Sequence, residues 1–555
     1  MTDDNKSADV ESDYYRLTDS SCAAPKEAVP WGVEEPAKTT TLTNSPENEA
    51  EYPSLWKLIP ITAGLCCSIF CMALDNTIIA TAIPRITAEF DSLNDMGWYG
   101  SAYMLTTCAV TLIFGKLYTY YSLKWTFMTA LALFELGSLV CGLTTSSTGL
   151  IIGRALAGVG AGGLFSGAML VIATLVPLRR RPIFSGFIGI VFGISSVAGP
   201  LMGGALTDHV SWRWCFYINL PFGAITALVI VFFFQDKQTK NKITNREKLR
   251  SLDLIGTAIF LPGIICLLLA LQWGGQKYPW ANVRIIVLFV LFGVCLCGWI
   301  YIQYRKQDRA TVPPRIIKNR NVWGAMAYTI LIGASFFVLV YYLPLWFQAI
   351  KGASATSSGV RNLPLIIGVS IFAMIAAILV TLSGYYNPLM LAASVIFSVG
   401  NGLLTTLEPD SGPAKWIGYQ AMAGIGAGLG MQLPNIVVQA AVDDADVPVA
   451  TALVVFSQSL SGAMFISIAQ NVFQNRLIAN VQKMAPMLDP SLVTQAGATK
   501  LREAFPDDID VVLQAYNGAV TQTFYIAVAT SSLSIFGALC LQWISVKKKQ
   551  VTTAL

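Results

Sequence analysis

The sequence predicts an all-α integral membrane protein with fourteen transmembrane helices, and three observations predict it. Charge is scarce: of 555 residues, 54% are hydrophobic and 12% charged, with a mean hydropathy of +0.58. Soluble proteins carry roughly 25% charged residues. Charge is also clustered, with Lys and Arg gathered in short segments between long apolar runs. A charge in hydrocarbon costs at least about 2.5 kcal/mol, so lipid as solvent selects this layout. Finally, the runs have the right length, because a helix rising 1.5 Å per residue needs about 20 residues to cross a hydrocarbon core about 30 Å thick.

In chain order, residues 1–54 are polar and rich in Glu, Asp, Ser, Thr and Pro, with no charged-then-apolar leader. They predict a disordered cytoplasmic tail. Six apolar runs follow at 58–80, 97–118, 125–145, 150–176, 182–206 and 214–234, and make an N-terminal bundle over 55–235. Runs at 254–273 and 283–303, with their linkers, fill 236–320. A C-terminal bundle over 321–546 holds runs at 322–347, 357–380, 386–406, 414–438, 449–470 and 519–545, the second and third parted by a short polar break from Ser383 to Asn387. Residues 471–518 predict an external segment with room for an amphipathic helix, and 547–555 a second cytoplasmic tail.

Basic residues orient the spans. With the N-terminus cytoplasmic, internal connections hold Arg179–Arg181, then Lys237, Lys240, Lys242, Arg246, Lys248 and Arg250, then Arg305, Lys306, Arg309, Arg315, Lys318 and Arg320, with Lys547–Lys549 after the last span. External connections hold fewer: Arg85, Arg213, Lys277, Arg284, Lys351, Arg361 and Lys415. An even span count places both termini inside. The net charge of +5 follows from these loops, and no nucleic-acid surface is needed to explain it. Arg179–Arg181, flanked by spans, is a positive-inside anchor. The eleven Cys lie mostly in apolar runs with no CxxC pair, so they read as small packing residues and not as a disulfide or metal framework. His209, the single His, falls in a short external turn and reads as a surface residue.

An internal repeat fixes the architecture. Span 4 carries Arg154-Ala-Leu-Ala-Gly158-Val-Gly160-Ala-Gly162, and span 12 carries Gln420-Ala-Met-Ala-Gly424-Ile-Gly426-Ala-Gly428. Small and large positions match one for one. Two plain six-span halves would pair span 4 with span 10. The offset of eight therefore predicts two six-helix bundles with two extra helices, spans 7 and 8, between them. The glycines sit inside an apolar helix with no preceding strand, so close helix packing accounts for them and a dinucleotide loop does not. No GxxxxGK[ST] occurs, which argues against an ATP-driven pump.

Five motifs carry a resemblance: Leu74-Asp-Asn-Thr-Ile-Ile-Ala-Thr-Ala-Ile-Pro84, Gly115-Lys-Leu-Tyr-Thr-Tyr-Tyr-Ser-Leu-Lys124, Arg154 with Gly158, Gly160 and Gly162, Ala198-Gly-Pro-Leu-Met-Gly-Gly204, and Ser211-Trp-Arg-Trp-Cys-Phe-Tyr-Ile-Asn-Leu-Pro221. In this order they resemble the fourteen-span drug:proton antiporter branch of the major facilitator superfamily, of the fungal toxin and multidrug efflux type. The resemblance runs over most of 58–545. It implies proton antiport, a proton-transfer role for Arg154, and export through the Gly199, Pro200, Gly203 and Gly204 motif. One departure stands out: the second motif usually carries an Asp in a charge relay between helices, and the aligned position here is Thr119.

The residues themselves give candidates. Asp75, inside the first span, either takes up and releases a proton or is a permanently charged structural partner. Arg154 either faces the cavity and perturbs a carboxylate, Asp75 first, or snorkels to anchor span 4. Its repeat mate Gln420 is neutral, which places coupling in the first bundle. Glu135 is a second intramembrane carboxyl, either paired with polar groups or part of coupling. Gly199, Pro200, Gly203 and Gly204 predict a kink and a tight helix contact. A substrate cavity is expected between spans 1, 4, 9 and 12, lined by Asn76, Tyr341, Tyr342, Trp346, Phe347, Gln348, Gln420, Gln432 and Asn435. Arg361 either attracts an anionic group or anchors a loop.

The expectation is a monomeric secondary-active exporter in the plasma or vacuolar membrane. It exchanges protons for small hydrophobic or amphipathic drugs, toxins or secondary metabolites, with no cofactor beyond the proton gradient, no metal and no nucleic-acid partner. Alternatives are a carrier for basic amino acids or iron chelates and a non-transporting membrane sensor. No nucleophile–base pair, metal cluster or cofactor motif supports an enzyme.

Overall fold

The computed structural model describes residues 53–92, 95–236, 247, 252–275 and 277–547. Most of the expected tail 1–54 lies outside the described residues. So do Lys237, Lys240, Lys242, Arg246, Lys248 and Arg250 of the basic linker, and Lys548 and Lys549.

Among the described residues, fourteen helices are long and apolar enough to cross a membrane. The N-terminal six are α1 (Leu55–Phe90), α2 (Met96–Tyr120), α3 (Leu123–Leu143), α4 (Ser147–Leu175), α5 (Arg181–His209) and α6 (Asn219–Phe233). Then come α7 (Leu254–Trp273) and α8 (Val283–Lys306). The last six are α9 (Arg320–Ala349), α10 (Leu363–Ser383), α11 (Asn387–Leu404), α12 (Pro413–Gly430, continued by Leu433–Ala441), α13 (Val447–Met484) and α14 (Ile509–Leu539). The polar break at 383–387 is a real helix end: Gly384 closes α10 at φ +86°, a left-handed turn that a residue with a Cβ adopts at a cost.

The repeat seen in the sequence is a repeat of contacts. A Cβ on Gly158 would strike the backbone of Tyr103 in α2, and one on Gly424 would strike the Leu365 carbonyl in α10. Gly160 abuts the backbone of Phe134 in α3, and Gly426 that of Phe397 in α11. Helices α2, α3 and α4 thus correspond to α10, α11 and α12, an offset of eight. The same offset relates α1 packed on α5 to α9 packed on α13. Two six-helix bundles result, and they meet where α2 packs along α13 and α5 along α10. The extra pair packs on itself, with α7 touching α2 and α13, while the apolar stretch of α8 is only 6% buried. That exposure suits a helix whose neighbour is lipid, where exposed Val and Leu cost nothing.

The expected external segment 471–518 is largely continuous with its neighbouring helices. Helix α13 runs on to Met484 and α14 begins at Ile509, so the non-spanning part shortens to 485–508, which contains a helix Pro490–Ala504. Leu477 and Val481 of the extended α13 are buried in one cluster with Val512, Leu513 and Tyr516 of α14. Hydropathy falls at 471, yet the helix continues because packing on α14 supports it.

Candidate functional site

Asp75 and Arg154 meet in the interior of the first bundle. The Arg154 Nη1 donates to Asp75 Oδ2 at 2.5 Å, and both side chains are 1% exposed. Helix α4 delivers the arginine because the small residues around it let α2 and α3 close in. Elsewhere on the same side chain, Nε donates to the Tyr99 carbonyl at 2.8 Å, and the guanidinium lies 4.5 Å from the centre of the Tyr103 ring. Asp75 also accepts from Asn219 Nδ2 at 3.4 Å, and the same amide donates to Ser138 Oγ at 3.1 Å. A buried ion pair holds only when hydrogen bonds supplement it, and this one is braced from α2, α3, α4 and α6.

Tyr103 faces two ways. Beyond its ring lies a partly open cleft enclosing about 630 Å³, the open solvent at its mouth included, lined by Met72 and Asn76 of α1, Met104 and Thr107 of α2, Ala161 and Phe165 of α4, Phe192 of α5, Phe337 of α9, and Val455, Gln458, Ser459 and Gly462 of α13. The lining is apolar with a few neutral polar groups, and none of these residues is charged. Asn76, adjacent to Asp75 in sequence, shares the wall with Tyr103, whose hydroxyl donates to the Met72 carbonyl at 3.3 Å.

Of the residues assigned to a cavity from sequence, Asn76 lines this one. The structure places the others elsewhere. Trp346 is fully buried within the C-terminal bundle, its indole N–H donating to Asn517 Oδ1 at 2.7 Å. Tyr342 packs on Phe473, Phe347 on Trp416, and Tyr341 is half exposed. Gln348 is partly buried two residues beyond Trp346 and is not among the lining residues. Gln420 donates to the Arg361 carbonyl at 3.1 Å, so the repeat mate of Arg154 ties α12 to the start of α10. Gln432 lines a small cleft between α5, α10 and α12, and Asn435 is buried in α12. These groups face away because helix rotation is set by the partners of each bundle, which spacing along one helix does not reveal.

In the export motif, a Cβ on Gly199 would meet the Ile78 backbone nitrogen at 3.0 Å, and Gly203 abuts the Ile78 backbone, so α5 and α1 touch through these two glycines. Gly204 faces the short helix Ala355–Arg361 instead, with Thr356 at 3.9 Å, and Pro200 lies within a continuous α5. Gly162 sits against the Thr107 carbonyl of α2.

A second polar cluster lies at the end of the molecule where α1 begins and α14 finishes. Thr119 Oγ1 donates to its own helix at the Gly115 carbonyl and makes no relay. The neighbouring Lys116 donates to the Asp308 carbonyl at 3.3 Å, in the linker between α8 and α9. Arg315 pairs with Asp308 at 2.6 Å and holds both oxygens of Asp446, the residue before α13. Asp253, ahead of α7, accepts from Gln303, Lys306, Thr311 and Gly256 and so pins this linker. Burial opposes charge on Asp253, yet the bonds from Lys306, Gln303, Thr311 and Gly256 outweigh it and hold its carboxyl below the usual carboxylate range. Beside this cluster, Gly115 of α2 packs against Ala452 of α13, and Arg181 of α5 donates to Gln439 of α12 at 3.4 Å.

Sequence reasoning missed Tyr103, Asn219, Lys116 and Asp253. Asn219 and Lys116 carried a signal, being polar residues inside the motifs quoted above. Asp253 had only its place before an apolar run.

A model of the Major Facilitator Superfamily matches residues 65–466. The chain is 53% identical to the MFS-type transporter astH of Aspergillus oryzae, covering 93% of this chain and 92% of that one. It is 55% identical to the efflux pump roqT of Penicillium rubens, over 90% and 93% of the two chains, and 53% identical to the MFS-type efflux pump MFS1 of Trichophyton rubrum, over 90% and 94%. Among solved structures, the proton:xylose symporter XylE superposes with a TM-score of 0.55 at 13% identity, covering 86% of this chain and 94% of that one. The human organic anion transporter MFSD10 gives 0.53 at 12%, covering 86% and 100%. These last two likenesses concern the fold.

Proposed function

The chain belongs to the major facilitator superfamily, a multi-pass membrane transporter and not an enzyme, and on that premise we propose that it exports small hydrophobic or amphipathic organic compounds in exchange for protons. The observation that carries this reading is the Asp75–Arg154 pair, separated from an uncharged cavity by the single ring of Tyr103. Cargo in the cavity seats Tyr103 against Arg154 and so holds Arg154 on Asp75, which keeps the carboxyl ionised. When the cavity is empty that wall can shift, Arg154 loosens from Asp75, and a proton neutralises the carboxylate left in apolar surroundings. When cargo binds again, Arg154 returns and the proton is released. Binding of cargo and proton thus exclude one another, which is what antiport requires.

The named efflux pumps at over half identity support export, and secondary metabolites or toxins are the cargo class this points to. The lining of Met, Phe and Val with Asn76, Gln458 and Ser459 suits bulky neutral molecules. It weighs against basic amino acids or iron chelates, which would need charged partners. Asp75, Arg154 and the wall they share with Asn76 are the coupling residues in this reading. Gly158, Gly160, Gly162, Gly199 and Gly203 let helices approach closely enough to move as rigid bundles, and Pro200 belongs to the same seam. The linker cluster of Asp253, Asp308, Arg315 and Asp446 takes the place of the motif Asp absent at position 119 and ties α7, α8 and α13 together at one end of the bundles. By the basic-residue rule that end is cytoplasmic, and we place the protein in the plasma membrane.

Metabolite profiling inside and outside cells with and without the gene tests this. Export predicts a compound that accumulates in cells lacking the protein. An unchanged partition of every compound contradicts it.

A further inference from the structure

Glu135 lies in α3 with both carboxyl oxygens buried, and among the described residues neither has a hydrogen-bond partner. The ion pair does not use it. The carboxyl is seated against Gly223 of α6, where a Cβ would overlap it. A polar group buried without a partner is costly, and an ionised carboxylate more so, so the form this seam accommodates is the neutral acid.

Its position relative to Asp75 gives it meaning. Asp75, Ser138 and Asn219 form one layer through the Asn219 amide. Glu135 precedes Ser138 by one turn, Gly223 follows Asn219 by one turn, and Cys71 precedes Asp75 by one turn. All three steps run toward the same end of the molecule, where α1 and α3 begin and α6 finishes. Glu135, Gly223 and Cys71 therefore form the next layer. The titratable groups facing Glu135 are Asp75 and Cys71 from α1. Helix α6 offers Gly223 and Asn219, and α4 offers Arg154 beyond Asp75. The cavity lies along the adjacent face of α1, about 100° around the helix, against Met72 and Asn76.

We propose that Glu135 is a second proton-carrying site, so that protons step between Asp75 and Glu135 along the seam of α1, α3 and α6, beside the cargo cavity and not through it. This rests on the role given to Asp75 above. The proton on Asp75 passes to a Glu135 carboxylate, leaving Asp75 ionised for Arg154. Glu135 then gives the proton to water at the end where α1 begins and α14 finishes. One turn is about 5.4 Å, a span that two rotating carboxyls joined by one water cover. Cargo and protons then share the Tyr103 wall and no common path, which keeps an uncharged cavity compatible with proton transport.

Infrared difference spectroscopy of the purified full-length protein over a pH series tests this without any cargo. Glu135→Gln is expected to lose one protonated-carboxyl stretching band that titrates in the wild type. Asp75→Asn is expected to move the midpoint of that band by about one pH unit, because the two sites interact. A Glu135 band that stays protonated across the whole series and ignores Asp75→Asn identifies an inert packing group and overturns the proposal. Should Glu135→Gln not fold, Gly223→Ala crowds the same carboxyl: a moved midpoint supports the proposal and an unmoved one overturns it. Separately, an Asp75→Asn protein with undiminished proton-driven transport would defeat the parent reading while leaving the band result to stand, so the two failures are distinguishable.

Discussion

Neutralising Asp75 and Arg154 singly and together separates a working ion pair from two independent buried groups. Asp75→Asn keeps shape and leaves Arg154 charged, 1% exposed, with a carbonyl and a ring for company. Arg154→Gln leaves a carboxylate with one amide at 3.4 Å. Removing one partner of a buried pair costs about 3–5 kcal/mol, since the survivor has lost water and gained nothing. The double variant has no charge to bury, and its loss is expected to be smaller than either single loss. That corresponds to a coupling energy of at least about 3 kcal/mol, at or above the top of the range found for contacting groups. Thermal unfolding in detergent reads the stabilities, and pH-gradient-driven flux is expected to vanish in all three. Losses that add to within about 0.5 kcal/mol would mean the two side chains do not depend on each other, and the coupling argument would fail.

Further outcomes follow from the same geometry. Asp253→Ala removes the acceptor for Lys306, Gln303 and Thr311, and is expected to lower thermal stability by about 3 kcal/mol or more, given that hydrogen bonds to charged groups are worth about 1.5–3 kcal/mol each. Because the folded carboxyl sits below its ordinary range, that stabilisation is complete at neutral pH and is lost only as pH falls through the lowered value. Neutral-range pH dependence of transport should therefore survive Asp253→Asn. Gly160→Ala and Gly426→Ala push α4 and α12 off their partners and are expected to cost about 1–3 kcal/mol each, while Gly204→Ala, with its nearest neighbour at 3.9 Å, is expected to be near neutral in expression and melting. Gln458→Ala is expected to change which compounds are exported with little effect on melting. Trp346→Ala is expected to do the reverse, losing about 3–5 kcal/mol of stability.

The spans were legible because lipid enforces runs of about 20 apolar residues whatever the tertiary fold. The glycine repeat was legible because close approach excludes side chains at fixed spacing, and the structure finds Gly158 and Gly424 in equivalent contacts. Asp75 and Arg154 stood out because a charge in hydrocarbon demands a partner. Beyond Asn76, the residues that line the cavity were not legible. Phe337 lines it while Trp346 does not, and nine residues make about 2.5 turns, so the two lie on opposite faces of α9. Which face turns inward depends on α13 and α14, far away in sequence. The linker cluster was hidden for a similar reason: Lys116, Asp308 and Asp446 come from three distant segments, and nothing local marks them as neighbours.

The most direct test of proton-for-cargo exchange is uptake into inside-out vesicles of the compound that profiling identifies, with and without an imposed proton gradient, in wild type and Asp75→Asn. The account predicts uptake that needs the gradient in wild type and collapses in Asp75→Asn even when the gradient is present. Gradient-driven uptake that persists unchanged in Asp75→Asn would contradict it.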